Sequence, residues 1–119
     1  MINHLGHFQL TARLWPSLRK AGDTRIVSVS SRTQRLGGVN FDDLHYEKTE
    51  YDRMKAYAQS KSANVLFAVE LDKRARKYGV RAFAAHPGLV PMTDLGSGAG
   101  CHKTLRDCTR VLYASLPRL

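Results

Sequence analysis

Arg25-Ile26-Val27-Ser28-Val29-Ser30-Ser31 is the stretch on which the fold turns. Its β-branched residues at 26, 27 and 29 run almost without interruption, as in a strand of a parallel sheet covered on both faces. Val80-Arg81-Ala82-Phe83-Ala84-Ala85 has the same character and supplies a second parallel strand. Between the two, a helix is predicted from Tyr51 to Tyr78, ended by Gly79. Ala56, Ala63, Val65, Leu66, Ala68, Val69 and Leu71 make it apolar over much of its circumference, so more than one face is expected to be buried. Strand, helix and strand form a right-handed crossover. Upstream, a helix is expected over Met1–Lys20, with Leu5, Phe8, Leu10, Leu14 and Leu18 apolar, a kink at Pro16 and a cap at Gly22. Residues 32–50 read as a polar loop.

On the long helix lies Tyr57-Ala58-Gln59-Ser60-Lys61. Residues four apart share a helical face, so the phenol and the ammonium are neighbours. A free tyrosine titrates near ~10 and a free lysine near ~10.4. A fixed cation favours a phenolate, which makes the phenol a usable proton donor and acceptor near neutrality. A hydroxyl such as that of Ser31 could hold a substrate oxygen beside it.

The order of the surrounding motifs adds specificity. Asn3-His4-Leu5-Gly6-His7-Phe8 comes first, then the strand ending in Ser30-Ser31, then Tyr57 and Lys61, then His86-Pro87-Gly88. Asn-x-x-Gly-x-Phe, strand-Ser-Ser, Tyr-x-x-x-Lys and Pro-Gly in this order resemble the short-chain dehydrogenase/reductase superfamily, and the wording is nearest to its retinol-dehydrogenase-like branch. The resemblance runs from Asn3 to about Leu95. It implies an α/β fold, part of a Rossmann-like doubly wound parallel sheet in the order helix-strand-helix-strand-helix. It also implies hydride transfer between NAD or NADP and an alcohol or carbonyl substrate. Tyr57 would then be the acid/base and Lys61 would hold the nicotinamide ribose. Ser31 would orient the reacting oxygen, with Ser30 packing or bonding locally, and Asn3 would hold a water that relays protons. Pro87, Gly88, Val90 and Thr93 would line the nicotinamide. Met92 stands where the family commonly has its threonine, so the carboxamide contact is open by one residue.

Members of this superfamily begin with a strand, a Gly-rich turn and a helix whose N-terminus receives the pyrophosphate. This sequence opens inside the helix before the serine strand. Judged against that pattern, on the order of 80 to 90 residues are lacking, and the chain reads as the second half of an enzyme. Residues 1–95 are assigned to the Rossmann-like domain. Residues 96–119 are assigned to a Gly-rich loop, Gly96-Ser97-Gly98-Ala99-Gly100, and a terminal helix over 103–116 in a shortened substrate region. The glycines do not replace the lost turn, because no strand precedes them directly and no acidic residue follows at the required distance.

The 119 residues, 43% of them hydrophobic, suit a folded unit. No apolar run approaches the ~18 residues of a membrane span, and two cysteines outside any ligand pattern suit a reducing compartment. The expected location is cytoplasmic. A net charge of +9 raises nucleic acid as a partner. Only Lys73-Arg74-Ala75-Arg76-Lys77 is clustered, however, and it closes a helix, where cations offset the helix dipole. No nucleic-acid partner is therefore expected, and no metal site, since His4 and His7 lack a third ligand. The expected partners are a small alcohol or carbonyl substrate and a second copy, or a complementing half, met through the two long helices. The alternative to an enzyme is an inactive fragment serving as an interaction module, or a start placed inside a longer reading frame.

Overall fold

The computed structural model describes residues 2–88. Val90, Thr93, the 96–100 glycines and the expected helix over 103–116 lie outside the described residues. A π-helical turn, Ile2–Gly6, leads into α1, His7–Ala21. The first helix is thus divided instead of running as one α-helix from Met1 to Lys20. It continues past Pro16, whose missing N–H leaves the Ala12 carbonyl without a helical donor. Gly22 closes it with a φ of 72°, its N–H reaching the Arg19 carbonyl at 3.4 Å.

Strand β1 is Thr24–Val29, helix α2 is Arg53–Ala75 and strand β2 is Val80–Ala85. The expected polar loop opens with a 3₁₀ turn, Arg32–Leu36, capped by Ser31. Helix α2 begins two residues later than Tyr51 because Asp52 caps it, its carboxylate accepting the Lys55 N–H at 2.8 Å. Its end tightens into a 3₁₀ turn, Arg76–Tyr78. Gly79 then reverses the chain at φ 73° and ψ 11°, a left-handed conformation that any Cβ would strain.

The two strands pair in parallel from Thr24↔Val80 to Val29↔Ala85. The fold is α/β, a two-stranded parallel part of a Rossmann-like sheet, with α2 packed on it. The core between them is built of small residues: Ala58, Ala68 and Ala75 from α2 with Val80 and Ala82 from β2. Here the helix departs from expectation. Its buried residues are Ala58, Ser62, Asn64, Ala68, Asp72 and Ala75 on one broad face, while Leu66 is exposed. Small side chains let the helix approach the sheet closely, and the polar ones find partners there. The opposite face of β1 is not covered within the described residues, where Val27 and Val29 are 57% and 49% exposed. Helix α1 contributes no buried residue. Among the described residues no helix is long and apolar enough to cross a membrane.

A carboxylate secures the far end of α2. Asp72 accepts from the Ala82 N–H at 3.0 Å, from Arg81 Nε at 2.8 Å and from Arg76 at 2.6 Å. Burial pushes its carboxyl upward, but the bonds from Arg81, the Ala82 N–H and Arg76 outweigh that push and hold it at about 2. The native state therefore binds fewer protons than the unfolded chain between about pH 4 and pH 2, and this contribution is lost as pH falls through that window. The Arg76 and Arg81 side chains are 61% and 46% exposed, so solvent screening reduces it to about 1–2 kcal/mol. Urea denaturation should show Asp72→Asn less stable than the parent at pH 6, with the gap closing at pH 2. A gap independent of pH would contradict the assignment.

Candidate active site

Parallel pairing brings the C-terminal ends of β1 and β2 to one edge of the sheet. Ser31 lies two residues beyond Val29, and Pro87 two residues beyond its partner Ala85. In open α/β sheets, ligands bind outside the carboxyl ends of the strands. Gly88 follows at φ 83°, where glycine lets the backbone come close to a bound group.

The structure brings Tyr57 and Lys61 to this edge. Both are half-buried on α2, with Lys61 Nζ 5.5 Å from the centre of the Tyr57 ring. The ammonium donates to the Val29 carbonyl at 3.1 Å, which fixes it over the end of β1. Burial lowers the Lys61 pKa below the ordinary lysine value. Asn3, in the π-turn, donates to the Ser60 hydroxyl at 3.3 Å, and Ser60 in turn donates to the Tyr57 carbonyl at 2.7 Å. Single-turn π segments recur at functional sites.

The two serines exchange their expected habits. Ser31 bonds locally, its hydroxyl accepting the Thr33 N–H at 3.4 Å, and no hydrogen bond joins it to Tyr57 among the described residues. Ser30, expected to bond locally, instead donates to the Lys61 carbonyl at 2.9 Å, thirty-one residues away. A strand side chain alternates faces, so only one of two consecutive serines can meet the helix.

Sequence reasoning missed Asn64. It is fully buried and donates to the Val29 carbonyl at 3.0 Å, while its own oxygen meets His4 Nδ1 at 3.0 Å. The signal was an amide inside the apolar run Ala63-Asn64-Val65-Leu66, three residues after Lys61 and on the same face. His86 Nδ1, beside Pro87, is buried and without a partner among the described residues. Two surface hollows lie at the other end of α2, around Trp15 and Tyr78. They are lined by Trp15, Tyr78 and cations such as Arg19 and Lys77, and they lie away from the carboxyl ends of the strands.

No family model matches the chain. Among curated proteins it is 44% identical over 101 residues to human retinol dehydrogenase 13 (85% of this chain, 30% of that protein). It is 48% identical over 89 residues to human retinol dehydrogenase 12 (75% and 28%) and 44% identical over 95 residues to human retinol dehydrogenase 14 (80% and 28%). The chain belongs to the short-chain dehydrogenase/reductase superfamily. It spans about 30% of the length of these curated relatives. A crystal structure of an uncharacterized protein from Mycobacterium paratuberculosis matches with a TM-score of 0.66 and 43% identity, covering 80% of this chain and 34% of that one.

Stability separates the serines. Ser30→Ala should cost about 1 kcal/mol by urea denaturation, because it removes a bond between sheet and helix. Ser31→Ala should cost less than about 0.5 kcal/mol. The reverse order would mean that Ser31, not Ser30, ties β1 to α2.

Proposed function

We propose that this chain carries the proton-handling part of an NAD- or NADP-dependent oxidoreductase acting on an alcohol or carbonyl compound. The observation that carries the reading is the Lys61 ammonium bonded to the end of β1 one helical turn from Tyr57, at the sheet edge where ligands of such folds bind. The retinol dehydrogenase relatives support the reaction class.

The residues present fit a nicotinamide nucleoside. Lys61 keeps donor capacity beyond the Val29 carbonyl for ribose hydroxyls, since an ammonium has three N–H donors. Pro87 and Gly88 offer a flat, closely approachable wall, and Val90 and Thr93 complete the assigned set. When bound, the cofactor supplies or accepts the hydride. The chain's own residues manage the proton. Tyr57 gives it to the carbonyl oxygen in reduction and takes it from the hydroxyl in oxidation. Lys61 stands beside the phenol as the fixed cation of the pair. Ser31 donates to the reacting oxygen, its O–H being unused while its oxygen accepts from Thr33. Asn3 holds the α2 backbone through Ser60 and can take a water for proton relay.

The test replaces the aligned segment of human retinol dehydrogenase 13 with this chain's and follows nicotinamide absorbance. Activity should be present, and Tyr57→Phe should lower kcat by ~10²–10⁴, with binding little changed. An unaltered kcat in Tyr57→Phe would remove the acid/base assignment.

A second reading is favoured by exposed apolar side chains on α1 and β1. Phe8, Leu10 and Leu14 are 52%, 58% and 46% exposed, alongside Val27 and Val29. In this reading the chain is an interaction module for a second copy or a complementing half. Leu10→Glu with Leu14→Glu should then abolish association in analytical ultracentrifugation, while Tyr57→Phe leaves it intact. A chain that is monomeric at every concentration would dismiss this reading.

A further inference from the structure

Lys61 has no ion-pair partner among the described residues, and its anchor is one neutral oxygen, the Val29 carbonyl. A lysine stem carries up to about 2 kcal/mol of rotamer freedom, so one loose carbonyl would hold it poorly. The structure answers with a second donor. Asn64 Nδ2 meets the same oxygen at 3.0 Å, so both lone pairs of Val29 are used, one by Lys61 and one by Asn64. The oxygen is then fixed in the direction that faces the ammonium.

Asn64 is itself held in one orientation. It is 0% exposed, and its amide must present nitrogen to Val29 and oxygen to His4. His4 Nδ1 therefore carries the proton and donates to Asn64 Oδ1. Without that donor the Asn64 oxygen would be buried and unsatisfied, a cost that would loosen the amide from its seat. The His4 ring is braced in turn by Phe67 of α2, edge to face with centres 6.0 Å apart. The donors run in one direction, His4 to Asn64 to Val29, and Lys61 closes on the same oxygen. Hydrogen bonds in such chains strengthen one another.

We infer that His4 and Asn64 are positioning residues for Lys61, holding its ammonium beside Tyr57 through the Val29 carbonyl. The π-turn is thereby coupled to the acid–base pair, since His4 adjoins Asn3 in Ile2–Gly6. The catalytic meaning of this seat rests on the function proposed above, but the seat itself does not.

The test is nuclear magnetic resonance on the isotope-labelled full chain, with the Lys61 ammonium signal assigned by Lys61→Arg. His4→Phe keeps a ring against Phe67 but has no N–H to give. Exchange of the Lys61 ammonium protons with water should speed up several-fold. His4→Asn, whose amide nitrogen reaches about where Nδ1 was, should restore slow exchange. Unchanged exchange in His4→Phe would overturn the inference, as would equal effects of His4→Phe and His4→Asn. Loss of the β1–β2 amide pattern in His4→Phe would also overturn it, because His4 would then be structural. Hydride transfer does not enter the measurement, so failure of the proposed function and failure of this inference give different results.

Discussion

The Val29 carbonyl oxygen is the point on which this structure hangs. It ends β1, receives Lys61 and Asn64 from α2, and through Asn64 receives His4 from the π-turn. Ser30, the next residue, returns a bond to the Lys61 carbonyl. Such dense polar ties are needed because the core is made of alanines and one valine. Each alanine removes little apolar area from water, so burial alone gives weak preference for one placement of α2 over a slipped one. The hydrogen bonds supply that preference. Asp72 does the same near the C-terminal end of the helix, where it binds β2. Two polar clamps, one at mid-helix and one near its C-terminal end, set the long helix across the pair of strands and so fix where Tyr57 and Lys61 lie.

Much of this arrangement was legible in the sequence, and the reasons differ by element. The strands announced themselves through Ile26, Val27, Val29 and Val80, because β-branched runs bounded by Gly22 and Gly79 have few other homes. The pairing of Tyr57 with Lys61 followed from helical spacing alone. The start of α2 was misplaced because Asp52, a cap, outranks the apolar pattern in deciding where a helix begins. The π-turn was hidden, since the periodicity of Leu5, Phe8 and Leu10 does not distinguish it from an α-helix. Asn64 was overlooked within an apolar run, and the roles of Ser30 and Ser31 depend on which side of the strand faces α2. Burial of small and polar residues in place of Leu66 is likewise a property of close helix–sheet approach, which hydropathy does not encode.

The charged groups fall into two regions. Arg74 pairs with Glu70, and Arg76 with Asp72, so the basic cluster closing α2 is partly neutralised within the helix. Arg19 and Lys77 flank the Tyr78 ring at 4.1 and 5.1 Å. The proposed acid–base pair, Tyr57 and Lys61, stands by contrast at the carboxyl ends of the strands. The exposed cations and the proposed acid–base pair therefore lie on different parts of the structure.

That separation gives the most direct test of the central claim. Amide chemical shifts of the isotope-labelled chain are mapped during titration with NADH and with NADPH. If Tyr57 and Lys61 stand at a nicotinamide site, saturable shifts gather at Ser31, Tyr57, Lys61 and Gly88. Shifts confined to Arg19, Lys77 and Tyr78, or none with either cofactor, would contradict it.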